Sequence, residues 1–175
     1  MNYFEFFGIP VGFSPDEAAL RRAFLLNSKK YHPDFHTLAD EARQANMLEQ
    51  STLNNEAYNT LADPDRRIRY VLEIKGLLGD EQNQPALPQD FLMDMMDINE
   101  SLMELEMDFD AQRYEQTLRA VEGIEQQLEQ AIAPVLQQYS DPGGDALLPE
   151  VRDYFFKKRY LLRIRENLSK FAAAF

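Results

Sequence analysis

Residues 29–34 read Lys29-Lys30-Tyr31-His32-Pro33-Asp34, and this hexapeptide sets the topology of the first part of the chain. Proline lacks a backbone donor and keeps the residue before it out of helical geometry, so a helix arriving from the N-terminal side must stop before Pro33. Upstream, Ser14-Pro15-Asp16-Glu17 writes a helix start, in which Ser14 can cap, Pro15 suits the first helical position and Glu17 completes a capping box. Between these signals Leu20, Phe24 and Tyr31 share one helical face, while Arg22 and Lys29 share the opposite one. The helix therefore has an apolar inner face and a basic outer face.

Downstream, a second helix is predicted from about Asp40 to Ala62, with Met47, Ser51, Asn54, Tyr58 and Leu61 as its inner stripe. Two helices joined by a short proline-containing loop should lie antiparallel, which puts His32, Pro33 and Asp34 at an exposed tip. After Asp63-Pro64, Arg66-Arg67-Ile68-Arg69-Tyr70-Val71-Leu72 reads as a further short helix. At the N-terminus Tyr3, Phe4, Phe6 and Phe7 form an apolar cluster closed by a Gly8-Ile9-Pro10 turn, suited to covering a core.

Gly76, Gly79, Pro85 and Pro88 punctuate the polar run Asp80-Glu81-Gln82-Asn83-Gln84, the best candidate for a domain boundary. Beyond it, residues 89–110, 111–140 and 149–171 carry helical periodicity, separated by Asp108/Asp110 and by Asp141-Pro142-Gly143-Gly144-Asp145. No segment alternates with a strand period. The expected architecture is all-α: a helical hairpin domain over 1–75, a linker over 76–87 and a three-helix bundle over 88–175.

Composition narrows the function classes. With 45% hydrophobic and 27% charged residues, the 175-residue chain can bury a core, and its apolar runs are too short to span a membrane. It has no cysteine, which removes disulfides, thiolate metal sites and thiol nucleophiles. The formal charge of −12 repels phosphate backbones and argues against nucleic-acid binding. Charge is uneven: residues 1–75 carry nine Lys and Arg against eleven Asp and Glu, whereas 76–175 carry nine against nineteen. Met1-Asn2-Tyr3-Phe4-Glu5 has neither a basic n-region nor a continuous apolar h-region, so a cytoplasmic location is expected.

Taken alone, His32-Pro33-Asp34 is compatible with a plain helix-ending turn. A metal pair of His32 and His36 is disfavoured, because Pro33 interrupts the helix that the spacing needs. An acid–base pair of His32 and Asp34 lacks an accompanying nucleophile, oxyanion donor set or phosphate cradle. The surroundings resemble the J domain, the co-chaperone module that stimulates ATP hydrolysis by DnaK-class heat-shock chaperones. Lys29-Lys30-Tyr31-His32-Pro33-Asp34 matches its helix-to-loop signature, and Leu53-Asn54-Asn55-Glu56-Ala57-Tyr58-Asn59-Thr60-Leu61-Ala62-Asp63-Pro64 with Arg66-Arg67 matches its third-helix signature. The resemblance implies that Arg22, Lys29, Lys30, His32, Pro33 and Asp34 contact the chaperone, and that the chaperone, not this chain, hydrolyses ATP. Where the general pattern continues with Tyr-Asp, this chain has Arg69-Tyr70-Val71-Leu72, and no Gly/Phe-rich region follows.

The first helix of the acidic half carries two apolar stripes. Phe91, Met95, Ile98, Leu102, Leu105 and Phe109 cluster on one side and should face the bundle core. Leu92, Met96, Met103 and Met107 form a second stripe with Met93 at its margin, bordered by Asp97, Glu100 and Glu104. This stripe either packs against other helices of the chain or serves as an adaptable protein-binding patch. The whole chain is similar to the HscB family, dedicated J-domain co-chaperones of iron–sulfur cluster assembly. Tyr3-Phe4-Glu5-Phe6-Phe7-Gly8 matches that family's opening, Phe91-Leu92-Met93 with the following acids its second-domain signature, and residues 158–164 its last-helix segment. The resemblance implies a scaffold-binding surface of Leu92, Met93, Met96, Asp97, Glu100 and Glu104, with Tyr160 as its aromatic member and Phe156 as the alternative. It further implies two partners, an IscU scaffold and an HscA/DnaK-class chaperone, and no cofactor.

Seven bases of the last helix, Arg152, Lys157, Lys158, Arg159, Arg163, Arg165 and Lys170, face an excess of acids over residues 90–129. Complementary helix packing explains this more simply than anion binding does. The functional expectation is a non-enzymatic co-chaperone. A J-domain protein with another client, or an acidic helical adaptor, is the alternative.

Overall fold

The computed structural model describes residues 1–79, 84 and 86–172. Asp80, Glu81, Gln82, Asn83 and Pro85 of the expected linker lie outside the described residues. Among the described residues the fold is helical throughout, without a strand. Contacts divide the chain into two compact units, Met1–Leu77 with Gln137–Ala146, and Leu78–Leu136 with Leu147–Phe175.

The first unit contains α1 (Tyr3–Phe7), α2 (Glu17–Tyr31), α3 (Glu41–Ala62) and α4 (Pro64–Ile74). Asn2 and Glu5 form a reciprocal capping box on α1, and Gly8, at φ 66°, ends it in the left-handed region that glycine enters without strain. Asp16 caps α2, its Oδ1 accepting the Ala19 amide at 3.0 Å. The sequence reading gave that role to Ser14; the helix instead begins at Glu17, because the Asp16 carboxylate stands at the right offset to take an amide of the first turn. Asp40 and Asp63 cap α3 and α4 in the same way, accepting from the amides of Arg43 at 2.8 Å and Arg66 at 2.9 Å.

Helices α2 and α3 are antiparallel, since Phe24 stacks on Tyr58 at 4.2 Å while Ser28, one turn later, meets Asn54, one turn earlier. The core gathers Phe4, Phe7, Phe13, Leu20, Ala57, Leu61, Ile68, Val71 and Leu72. Burying a side chain such as Phe4 contributes about 1.5–3 kcal/mol. Two residues of the α4 signature acquire structural reasons. Arg67 is buried and donates to the carbonyls of Phe13 at 2.8 Å and Leu61 at 2.6 Å, tying the loop before α2 to the end of α3. Tyr70, at the departure from the general J-domain pattern, stacks on Tyr3 at 4.4 Å and accepts its amide at 2.9 Å, so it anchors α1.

Residues 137–146, assigned by the sequence reading to the second domain, belong to this first unit. The Tyr139 ring lies 4.9 Å from that of Phe13, and Lys75 Nζ donates to Asp141 at 2.7 Å and Asp145 at 3.1 Å. The hydrogen bond to Asp141 leads in pushing the Lys75 ammonium well above the usual lysine range.

The second unit is built from α5 (Gln89–Met107), α6 (Ala111–Gln138, save its last two residues) and α7 (Leu148–Ala172). Phe91, Met95, Ile98, Leu102 and Leu105 are buried together with Val121, Leu161, Ile164 and Leu168. Phe109 was expected in this core, but α5 ends at Met107 and Phe109 stays 37% exposed. Its ring instead leans on Tyr114 and Phe171, each at 6.0 Å, beyond the end of the helix. The Asp110 carboxylate accepts the Gln112 amide at 2.8 Å at the start of α6, so the acid-rich break is a cap. Charge complementarity fixes α7 against α6: Arg165 makes a bidentate pair with Glu125, Nε donating to Oε1 and Nη2 to Oε2, each at 2.7 Å, and Lys158 reaches Glu129 at 3.4 Å.

Candidate functional site

Two surfaces carry the residues singled out by sequence. On the first unit, α2 ends in its basic turn, Lys29-Lys30-Tyr31, and His32 leaves the helix at φ −63°, ψ 128°, the extended geometry that the following proline imposes. Pro33–Phe35 then forms a single 3-10 turn. His32 Nδ1 accepts the Asp34 amide at 3.2 Å, which leaves Nε2–H as the ring's outward donor. His36 Nε2–H donates to the Lys30 carbonyl at 2.8 Å, so that ring staples the loop onto the helix end. The tip is exposed, and the rings of His32 and His36 are held by local hydrogen bonds.

Arg22, Lys29 and His32 line a groove of about 540 Å³ together with Leu25, Leu26, Ser28 and Phe35. The three apolar side chains are more than half exposed, Phe35 at 71%. Sequence reasoning missed Leu25, Leu26 and Phe35. The available signal was spacing: Arg22, Leu25, Leu26 and Lys29 stand at i, i+3, i+4 and i+7, one stripe on the face opposite Leu20 and Phe24. The groove is thus an apolar floor with a cationic rim. Lys30 lies outside it, its ammonium 5.1 Å from the Tyr31 ring.

On the second unit, the outer stripe of α5 remains exposed: Leu92, Met93, Met96, Met103 and Met107 range from 40% to 86%. Packing against the other helices of its own bundle, part of one of the two readings of this stripe, is therefore not what it does. Asp97, Glu100 and Glu104 border it on the side toward α6, where they line a polar groove of about 380 Å³ with Arg113, Gln116 and Thr117. Glu104 is ion-paired with Arg113 across that groove, a partner the sequence reading did not foresee. On the other border stands Tyr160 of α7, half-buried, its hydroxyl accepting from Asn99 Nδ2 at 2.8 Å and its ring edge-on to Phe91 at 5.8 Å. Asn99 lies three residues after Met96 and four before Met103, so this bond sets Tyr160 beside the methionine stripe. Phe156, the alternative aromatic, is buried at 7% exposure.

A helical hairpin with a His-Pro-Asp tip, followed by a helical bundle, is the architecture of a J-domain co-chaperone. A family model described as the HSCB C-terminal oligomerisation domain matches residues 87–169. A co-chaperone protein HscB homolog from Ralstonia nicotianae is 32% identical over 135 residues, 77% of each chain. One from Vibrio vulnificus is 29% identical over 169 residues, 96% of this chain and 95% of its own. The match to one from Vibrio cholerae, 37% identical, spans 58% of this chain and 60% of that relative's length. Among solved structures, human co-chaperone protein HscB has the same fold, with a TM-score of 0.74 at 23% identity, covering 100% of this chain and 84% of the human one. Chaperone HscB from Vibrio cholerae aligns with a TM-score of 0.61 at 28% identity, covering 95% and 96%. The chain belongs to the HscB family of co-chaperones.

Proposed function

We propose that this chain is a non-enzymatic adaptor that binds an IscU-type iron–sulfur scaffold through α5 and Tyr160, and delivers it to an HscA/DnaK-class chaperone whose ATPase the His32-Pro33-Asp34 tip stimulates. The observation that carries the reading is the exposed stripe Leu92, Met93, Met96, Met103 and Met107, framed by carboxylates on one border and Tyr160 on the other. Methionine side chains adapt to a partner's shape, and a contiguous exposed apolar patch marks an interaction surface. Leu92, Met93 and Met96 supply the apolar contacts, while Asp97, Glu100 and Glu104 select a partner with cationic side chains at the rim.

At the tip, Arg22, Lys29 and Lys30 steer the encounter with an acidic chaperone surface. The groove floored by Leu25, Leu26 and Phe35 accepts an apolar segment of the chaperone's interdomain linker, and the rigid His32-Pro33-Asp34 turn biases its two-state ATPase toward hydrolysis. Carrying both sites on one chain raises the scaffold's effective concentration at the chaperone, so modest affinities at each site suffice. The cluster is cargo of the scaffold and ATP is substrate of the chaperone; this chain supplies binding and timing, in the cytoplasm. Among the described residues no helix is long and apolar enough to cross a membrane.

Single-turnover ATP hydrolysis by a DnaK-class chaperone tests the reading, measured with the full chain alone, the cluster-free scaffold alone, and both. The expected result is stimulation by the chain that rises further when scaffold is added. Stimulation by the chain that scaffold leaves unchanged points to a co-chaperone with another client, and no stimulation at all overturns the proposal.

A further inference from the structure

Arg152 of α7 is half-buried against the Phe156 ring at 6.0 Å, and the other six cations of the helix divide into two groups. Lys157 pairs with Asp153 at 2.8 Å, Lys158 with Glu129 at 3.4 Å and Arg165 with Glu125 at 2.7 Å, while Lys170 bonds to Asn167 at 3.3 Å. Arg159 and Arg163 are exposed and, among the described residues, have no carboxylate partner, in a chain with thirty acids. Each lies over a ring of its own helix instead: Arg159 is 5.7 Å from Phe155, and Arg163 is 5.7 Å from Tyr160. A guanidinium resting on an aromatic face keeps its in-plane N–H donors free and its rotamer restricted, so it binds a carboxylate at reduced entropic cost.

The position of Arg163 gives this a direction. Across the outer surface of the second unit the order is Asp97, Glu100 and Glu104 toward α6, then Leu92, Met96 and Met103, then Tyr160, then Arg163. The apolar strip thus has an anionic border on one side and a cationic border on the other. Net charge hides this, because the chain as a whole is strongly acidic. We infer that Arg163 is a further binding residue of the α5 surface and takes a carboxylate of the bound scaffold, so that opposite charges on the two borders fix the orientation in which the scaffold docks. The inference rests on the scaffold-binding reading above. A partner rotated end for end on the same methionines would set its carboxylate against Asp97, Glu100 and Glu104, a like-charge juxtaposition that disfavours that pose.

Calorimetric titration of the full chain with cluster-free IscU-type scaffold tests it, using R163E, R163K, the control R119E on α6, and the double variant L92A/M96A. Arg119 is exposed and belongs to neither border. R163E is expected to raise Kd about tenfold and R163K by a smaller factor, since lysine keeps the charge and loses the planar fork. R119E should stay within about twofold, and L92A/M96A should weaken binding. If R163E binds like the parent chain while L92A/M96A weakens binding, the cationic border is wrong and the scaffold site stands. If R163E and R119E weaken binding equally, only net charge is being read and the inference fails. If L92A/M96A has no effect, the scaffold-binding reading itself falls.

Discussion

Asn54 of α3 donates from Nδ2 to the carbonyl oxygen of Phe24 on α2 at 3.1 Å, from a site that is 1% exposed. The same amide reaches Ser28 Oγ at 3.1 Å, and Ser28 in turn donates to the Phe24 carbonyl at 2.8 Å. Asn54, one of two polar residues in the inner stripe of α3, is thus a latch that sets the register of the hairpin carrying the tip.

Replacing Asn54 with Ala is expected to destabilise the first unit by about 0.5–1.5 kcal/mol, the net worth of a hydrogen bond, because the Phe24 carbonyl keeps the Ser28 hydroxyl as a donor. Asn54→Asp should be worse, because a carboxylate cannot donate and its charge would be buried. Urea unfolding of the full chain checks both. An Asn54→Ala variant as stable as the parent would refute the latch.

His32→Gln should abolish stimulation of the chaperone's ATPase without changing the unfolding midpoint. The His32 side chain is exposed, and its one backbone bond is local, to the Asp34 amide. Paired measurement of hydrolysis rate and urea midpoint separates a contact residue from a structural one; a shifted midpoint with stimulation retained is the result that contradicts the tip reading.

The Lys75 ion pairs make a prediction about alkaline pH. Lys75 is held above its ordinary range first by the hydrogen bond to Asp141, so its contribution to stability is fully present below the unfolded-state pKa and fades as pH rises through the folded-state value. Lys75→Met should lower stability by about 1–2 kcal/mol near neutrality. The gap between variant and parent should persist up to about pH 10 and narrow only above it. Unfolding curves at a series of pH values read this directly.

Leu92→Ala with Met96→Ala should weaken scaffold binding about tenfold or more while circular dichroism of the full chain is unchanged, because both side chains are exposed on the surface of α5. Loss of helicity would mean that they support the bundle.

Much of this was legible because local rules suffice for local structure. The proline after His32, the aspartates at 40 and 63 and the 4-3-4-3 spacing of Phe91, Met95, Ile98, Leu102 and Leu105 all act within a turn or two of themselves. The misreadings were close competitions of the same kind. Ser14 and Asp16 are both capping residues two positions apart, and only the path of the chain decides which one faces the first turn. Phe109 keeps the periodicity of α5 but lies past the end of the helix, and a periodicity cannot say where the helix stops.

By itself, the sequence determined the helical class, the hairpin with its His32-Pro33-Asp34 turn, the inner stripe of α5 and the division into an evenly charged and an acidic half. Only the tertiary structure decided the rest: residues 137–146 joining the first unit, the Glu104–Arg113 pair, the exposure of the methionine stripe, and the bond that sets Tyr160 beside it. The reason is physical. Caps, turns and amphipathic periodicity are interactions between near neighbours, readable wherever they occur. Which carboxylate meets which guanidinium, and which apolar face stays bare, depends on packing between segments far apart in the chain, and that information appears only once the helices have docked.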